Sequence, residues 1–336
     1  MTFVAWLTLT DVAYVTGPSV LYVTGGAAFV HMRDTFGGNP LPAATAFTTT
    51  KTGWTLGGGL ETKLSRNWST KTEYLYVDAG SSTFAAPNTA ASLTDVATFK
   101  NSFHVVKTGL NYKLDGNWEG LPFFGAPFLP SDHNWAGFYA GVNMGGGISL
   151  VQTTGGAGTV ASGTSTDIPG TGFAGGGHVG YNYMLTRKWF AGVEGDIGYL
   201  GVSGSLNPQW NENRIFSEKT NWYATARARF GATTGPALLY VTGGGAWVNL
   251  TDGIVGSTGA TDVSTATKGG WTIGGGTEVA LNVRWSARLE YLYLDVGHRN
   301  HMVTEVIPNV IILLPNADFK ERFQVVRVGL TYQFGN

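Results

Sequence analysis

The stretch KGGWTIGGGTEVALNVRWSARLEYLYLDVG, Lys268–Gly297, decides the fold, because it alternates with a period of two on both sides of a short turn. Its first half places Trp271 on one face and Glu278 on the other, and its second half likewise places Tyr291 and Arg288 on different faces of one strand. One face is therefore apolar and aromatic, and the other is small, polar and charged. A soluble sandwich also alternates, but glycines on the polar face and tryptophans flanking the turn favour a membrane barrel hairpin.

The composition excludes several classes of protein. Charged residues make up 13% of the 336 residues, which is about half the usual share, and aromatics also make up 13%. The net charge of -1 gives no basic surface for nucleic acid, so we expect no nucleic-acid partner. The absence of cysteine removes disulfides and thiolate chemistry. No apolar run approaches the length of a membrane helix.

The chain also contains a partial copy of itself. GWTLGGGLETKLSRNWSTKTEYLYVD, Gly53–Asp78, returns as Gly270–Asp295 with 15 identities in 26 positions. Two further stretches return in the same order: Gly17–Val30 as Gly235–Val248, and Phe99–Leu114 as Phe319–Phe334. The repeat of roughly 217 to 220 residues is far longer than any solenoid unit, and it indicates a tandem duplication with a shortened first copy.

Four segments follow from this repeat. Residues 1–16 match nothing in the second copy and stay unassigned. Residues 17–114 form a partial barrel copy equivalent to the last four strands. Residues 115–133 form a linker rich in proline and aromatics, and residues 134–336 form the complete barrel. Four strands leave two open edges in lipid, so the partial copy is a fragment of a second barrel, part of a larger twelve-strand barrel, or disordered. We favour the first.

The complete copy predicts eight strands: Trp135–Gly145, Phe173–Leu185, Trp189–Gly201, Trp222–Ala232, Ala237–Leu250, Trp271–Leu281, Trp285–Asp295 and Phe323–Phe334. Tight turns alternate strictly with four long Gly/Ser/Thr-rich loops: Gly146–Gly172, Val202–Asn221, Thr251–Gly270 and Val296–Arg322. Outer-membrane barrels alternate short periplasmic turns with long extracellular loops in this way. We therefore predict an all-β fold: an eight-stranded antiparallel up-and-down transmembrane β-barrel, preceded by the four-stranded partial copy.

Strand parity places four acids and four arginines inside this barrel: Glu194, Asp196, Arg227, Arg229, Glu278, Arg288, Glu290 and Arg327. Eight strands enclose a space that side chains must fill. Buried charges there cost several kcal/mol each unless they are paired. We favour a structural ion-pair network over a narrow permeation path. The partial copy repeats part of the set at Glu61, Lys71, Glu73 and Lys107.

The opposite faces carry the aromatic residues that we predict at the membrane interfaces: Trp135, Trp189, Trp222, Trp271, Trp285, Tyr291, Tyr293, Tyr332 and Phe334. His298 and His301 in the last long loop form a candidate ligand site, although such pairs are usually solvated. We predict no metal site. The sequence has no GxSxG elbow, HExxH motif or P-loop, so we expect no catalysis. Residues 1–16 lack the basic region of a signal peptide, so we expect either a missing signal or a truncated start.

Several motifs together resemble a known family. NWAGFYAGVNMGGG from Asn134, NWYATARARFG from Asn221 and RLEYLYLDVG from Arg288 resemble small outer-membrane β-barrel proteins of alphaproteobacteria, the porin-like surface proteins of rhizobia and their relatives. The resemblance implies an eight-stranded barrel with roles in outer-membrane integrity and host contact, and haemin binding in some relatives. No haemin motif transfers to this chain. Gly335 and Asn336 depart from the terminal aromatic usual in the family.

We therefore predict a non-catalytic outer-membrane barrel with a structural or porin-like role in a Gram-negative bacterium. One alternative is a haemin-binding or adhesive surface protein that acts through its long loops, and another is a soluble β-barrel that binds a small ligand. Expected partners are outer-membrane lipid, the barrel-assembly machinery at the C-terminal strand, and host or surface molecules at the loops. We expect no cofactor unless haemin binds.

Overall fold

A computed structural model of the chain describes residues 3–16, 19–36, 45–63, 67–88, 93–112, 133–155, 165–206, 214–233, 235–256, 261–307 and 310–334. It divides into two units, Met1–Phe128 and Leu129–Asn336. The division falls within the predicted linker 115–133, of which all but residue 133 lies outside the described residues. None of the described residues forms a helix that is long and apolar enough to span a membrane.

The first unit is an open antiparallel sheet of five strands in sequence order: β1 (Phe3–Thr16), β2 (Ser19–Phe36), β3 (Thr45–Lys63), β4 (Trp68–Asn88) and β5 (Leu93–Tyr112). The partial copy 17–114 contains four strands, and the unassigned residues 1–16 contribute a fifth, β1. Its sequence has no copy later in the chain, but backbone hydrogen bonds pair it with β2 from Thr16 opposite Ser19 to Phe3 opposite His31. Strand pairing therefore extends further than sequence similarity.

The second unit contains β6 (Gly137–Gly155), β7 (Ser165–Met184), β8 (Trp189–Leu200), β9 (Ser203–Leu206), β10 (Arg214–Thr233), β11 (Ala237–Gly256), β12 (Thr261–Ala280), β13 (Trp285–Ile307) and β14 (Val310–Gln333). Short β9 continues β8 and pairs with β10. Each long strand pairs antiparallel with its neighbours, and β14 pairs with β6 from Gln333 opposite Tyr139 to Ala317 opposite Gly155. The ring of eight therefore closes, which confirms the predicted fold class and excludes the twelve-strand alternative.

The strands are longer than predicted, because most of the described residues in the predicted loops belong to paired strands of long hairpins. β13 continues twelve residues past Asp295, the predicted end of its strand, and pairs with β14 as far as Ile307 opposite Val310. The prediction of a loop over Val296–Arg322 was wrong because cross-strand backbone bonds hold this segment extended. We call the end of the barrel with these long hairpins the hairpin end, and the opposite end the turn end.

Candidate functional site: the charge network inside the barrel

The structure brings the eight predicted inward charges together in one network, which we call the charge network. Alternation along the strands directs all eight side chains into the barrel. The strand register places them at one level along the barrel axis. Arg227 of β10 lies opposite Glu194 of β8, and Glu278 of β12 lies opposite Arg288 of β13. None of the eight side chains is more than 3% exposed. A water-filled channel would leave its lining side chains accessible to solvent.

Every acid in the charge network contacts at least two arginines. Glu194 is shared by Arg227, Arg229 and Arg288, and its Oε2 lies 2.6 Å from one Arg288 nitrogen. Glu278 lies between Arg229 and Arg288. Each arginine in turn contacts two or more acids, so four positive and four negative charges compensate one another without solvent. This sharing offsets the large cost of removing both partners from water.

The other two acids complete the charge network on the far side. The guanidinium of Arg227 donates to Asp196 at 2.6 Å and to Glu290 at 2.9 Å. Arg327 also bridges these two acids, donating from Nε to Glu290 at 2.7 Å and from Nη2 to Asp196 at 3.1 Å.

Three inward tyrosines, which the sequence reasoning missed, supply further hydrogen bonds. Tyr139 donates to Glu194 at 2.8 Å and Tyr240 donates to Glu290 at 2.9 Å. Arg327 donates to the hydroxyl of Tyr223 at 2.6 Å. Their parity on the strands could have revealed them, since each shares a face with inward polar residues.

Glycines opposite two of these tyrosines make room for the rings. A Cβ on Gly276 would lie 2.5 Å from the hydroxyl oxygen of Tyr240, and one on Gly180 would lie 2.3 Å from that of Tyr139. The first unit repeats the arrangement, because a Cβ on Gly59 would lie 2.3 Å from the hydroxyl oxygen of Tyr22. These inward glycines therefore have a steric role, in addition to any role in strand curvature.

Two apolar layers close the barrel on either side of the charge network. The turn-end apolar layer consists of Trp135, Phe190, Leu238, Tyr240 and Ala280. The hairpin-end apolar layer consists of Ala174, Leu200, Val202, Tyr223, Ala246, Val248, Leu250, Leu292, Leu294, Val296, Phe323 and Val325. Residues of the second layer come from β7, β8, β10, β11, β13 and β14, so it extends across the barrel interior.

The prediction of Trp135 as an interface aromatic was wrong. Its side chain is 3% exposed, and its indole nitrogen donates to the carbonyl oxygen of Gly235 at 2.8 Å. The first strand begins only at Gly137, whose φ of 106° is in the region that favours glycine. The chain before this turn lies in the barrel mouth, so Trp135 contributes to the turn-end apolar layer.

The other predicted interface aromatics lie on the outer surface. Trp189, Trp222, Trp271, Trp285 and Phe334 are 37–52% exposed. The remaining three, Tyr291, Tyr293 and Tyr332, are half-buried. The ring of Tyr293 contacts that of Trp271, and the ring of Tyr332 contacts that of Trp285. Between Trp222 and Phe230 the strand advances about 26 Å, which at a tilt of about 40° spans roughly 20 Å of the apolar band of roughly 25 Å on membrane barrels.

The predicted histidine pair lies only partly within the described residues. His298 and His301 lie in strand β13 and not in a loop. In the ladder between β13 and β14, His298 pairs with Lys320 and His301 pairs with Ala317. Nδ1 of His298 lies 2.8 Å from Oδ2 of Asp318, whereas the side chain of His301 lies outside the described residues.

The first unit carries a weaker version of the charge network. Glu73, the counterpart of Glu290, is 5% exposed and lies 2.7 Å from Lys107 and 3.6 Å from Lys71. The two lysine side chains are 39% and 37% exposed. The open sheet has no counterparts of β6, β7 and β8 among its described strands, so its lysines are less enclosed than the arginines of the barrel.

Comparison with known proteins agrees with this architecture. The 31 kDa outer-membrane immunogenic protein of Brucella melitensis biotype 1 is 35% identical over 175 residues, 51% of this chain and 70% of its own length. The 22 kDa outer membrane protein of Rhizobium leguminosarum bv. viciae is 32% identical over 177 residues, 52% of this chain and 71% of its own length. The solved structure of OprG from Pseudomonas aeruginosa aligns with 61% of this chain at 12% identity, with a TM-score of 0.41 that is too low to support any argument.

The profile of the outer membrane protein beta-barrel domain matches residues 120–334, which is well over half of the chain. That range contains the closed ring, its charge network and both apolar layers. The relatives above are outer-membrane proteins of Gram-negative bacteria, so the outer membrane is also the location of this barrel. The chain belongs to the outer membrane protein beta-barrel domain family.

Proposed function

We propose that the barrel is a closed structural protein of the outer membrane, which neither conducts ions nor catalyses a reaction. The observation that carries this proposal is the low solvent exposure of the charge network, which is at most 3% for any of its side chains. The apolar layers add a second barrier on each side. An interior of this kind gives a rigid barrel that holds its hairpins above the membrane.

Planar-bilayer recording tests the closed interior. The full chain is first shown to be folded by its heat-modifiable mobility on a gel, and a porin in the same bilayer confirms that steps are detectable. We expect no stepwise conductance from the wild-type chain. Reproducible steps whose ion selectivity changes in the Arg227→Ala and Arg229→Ala variants would show that these residues line a path, and would overturn the proposal.

The hairpins support a second role in contacts at the cell surface. Strands β13 and β14 continue well past the outer aromatics, and outer-membrane barrels place such extensions outside the cell. The relatives include proteins named as immunogenic. We infer that the hairpins of this chain are its antigenic and contact surface.

Antibodies raised against two peptides test this inference. An antibody against residues 296–322 should bind intact cells, whereas one against the short turn 281–285 should bind only after permeabilisation. Equal binding of both to intact cells would contradict the assigned orientation. Haemin binding and assembly through the C-terminal strand stay predictions. Haemin titration with and without residues 296–322 tests the first.

A further inference from the structure

A second group of buried charged residues lies inside the barrel beyond the hairpin-end apolar layer. We call it the carboxyl cluster, and it consists of Glu218, Asp252 and Glu321 with the cations Lys268 and Arg299. Register places Glu218 of β10 directly opposite Asp252 of β11. The three acids are 0–2% exposed. The cluster lies four to five residues past the exposed Trp222 and Trp247, and so outside the membrane-spanning band.

The charges of the carboxyl cluster do not balance when all its groups are ionised. Lys268 lies 2.9 Å from Glu321, and Arg299 lies 2.6 Å from Asp252. Each cation therefore already has one carboxylate, which leaves Glu218 as the third. Neither oxygen of Glu218 meets the geometry of a hydrogen bond to any described residue, although the hydroxyl of Ser149 on β6 lies close to its carboxyl group. One added proton makes the cluster neutral.

Apolar side chains border the three acids on two sides, whereas the side chains of Lys268 and Arg299 are 13% and 21% exposed. On the side of the hairpin tips, Phe216 and Phe319 stack with ring centroids 5.7 Å apart, and both are at most 1% exposed. On the side of the membrane, Leu250 and Phe323 of the hairpin-end apolar layer are fully buried. An ionised carboxylate without a partner is costly in such a place.

A proton fits this site better than a metal ion. Among the described residues, no three acidic or histidine side chains are arranged to hold a metal. Lys268 and Arg299 already occupy positions beside two of the three acids. A hydrated cation would have to displace them from the enclosed space.

We propose that the carboxyl cluster is a proton-binding site that locks the hairpin end of the barrel. With a proton on Glu218 the cluster is neutral, and its contacts join β10, β11, β12, β13 and β14. Loss of that proton leaves an uncompensated negative charge opposite Asp252, and the hairpin end opens.

The direction of the pH dependence follows from burial. Burial raises the pKa of Glu218 to about 8, the charge of Asp252 adds to the rise, and the hydroxyl of Ser149 opposes it. Burial also raises the pKa of Glu321, and Lys268 opposes that rise. When the hairpin end opens to water these carboxyls return to ordinary values near 4.5. The closed form is therefore favoured in acid, weakens as the pH rises to about 8, and changes little above it.

Hydrogen exchange measured by mass spectrometry on the full chain in lipid tests the proposal. After correction for the intrinsic exchange rate, opening releases the proton of Glu218 and that of Glu321, which predicts an increase in opening of at least roughly tenfold per pH unit below about pH 8. We expect at least a tenfold increase between pH 6 and pH 9 for amides 215–220 and 249–253. Amides of the turn end serve as the internal control and should show none. The Glu218→Gln variant should reduce the increase, whereas Asp318→Asn, a change at a partly exposed acid nearby, should retain it in full.

Infrared spectroscopy of the wild-type chain gives a second readout that does not need a variant to fold. A protonated carboxylic acid band should be present at pH 7 and absent at pH 10, and it should be weaker in Glu218→Gln, where only Glu321 contributes to it. An unchanged pH dependence in Glu218→Gln, or the absence of the band at pH 7, would overturn the proposal. Protection restored at pH 9 by calcium or magnesium in wild type but not in Glu218→Gln would show a cation site instead.

Discussion

Replacing Glu290 with glutamine tests whether the charge network is as dry as its geometry requires. The Glu290 side chain accepts hydrogen bonds from Arg227 at 2.9 Å, Arg327 at 2.7 Å and Tyr240 at 2.9 Å. Glutamine has nearly the same shape, so the substitution removes one negative charge without opening a cavity. The arginines then exceed the acids by one in a space that solvent does not reach.

The expected cost follows from burial. Removing one partner of a buried pair costs about 3–5 kcal/mol, because the remaining charge is left without compensation. The first unit provides a matched control, since Glu73 is the repeat counterpart of Glu290. The lysine partners of Glu73 are more than a third exposed, so solvent can compensate them, and we expect Glu73→Gln to cost roughly 1 kcal/mol or less.

The assay is urea unfolding of the full chain in lipid vesicles, followed by hydrogen exchange resolved by peptide, so that the barrel and the first unit each give their own midpoint. Glu290→Gln should lower the midpoint strongly, whereas Glu73→Gln should leave it nearly unchanged. The double variant Glu290→Gln/Arg327→Met should recover part of the loss, because it removes the excess charge. A cost for Glu290→Gln no larger than that of Glu73→Gln would mean that water enters the barrel, and would refute the dry interior.

Two further predictions concern steric fit and use the same unfolding assay. Gly276→Ala should destabilise the barrel by about 1–3 kcal/mol, because its Cβ would lie 2.5 Å from the hydroxyl oxygen of Tyr240. The control is Gly243→Ala, whose Cβ would have its closest neighbour at 3.5 Å, and it should change stability by less than about 0.5 kcal/mol. Equal effects would contradict the steric role. Trp135→Ala should lower the free energy of unfolding by about 3–5 kcal/mol. Trp271 is 51% exposed, so Trp271→Ala should cost about half as much or less. The reverse order would indicate that Trp135 lies at the membrane interface and not inside the barrel.

Much of the charge network could be predicted from the sequence because strand parity is a local property. Once Trp271 and Tyr291 are assigned to the lipid face, Glu278 and Arg288 must point inward. The alternation of short turns and long connections is also local, and it gave the number of strands in the ring. Both features can be inferred from neighbouring residues in the sequence, once one face of the strands is assigned to lipid.

Other features depend on strands that are far apart in sequence. Arg327 meets Asp196 across 131 positions because β14 pairs with β6 and closes the ring. The hairpin-end apolar layer was missed because Leu292 and Leu294 lie in a stretch of β13 that has apolar residues on both faces. Alternation in such a stretch does not distinguish the inward face from the lipid face. The carboxyl cluster was missed because its acids lie in segments whose small polar residues are typical of loops.

The sequence by itself therefore determined that the chain forms a lipid-facing barrel with a balanced set of inward charges, since a period of two fixes which side of a strand each residue occupies. Only the tertiary structure decided which charges are paired, where the interior is closed, that Trp135 lies inside, and that β1 adds a fifth strand to the first unit. The physical reason is that these outcomes depend on ring closure and on backbone pairing between strands. Neither leaves a periodic signal in the side chains of a single strand.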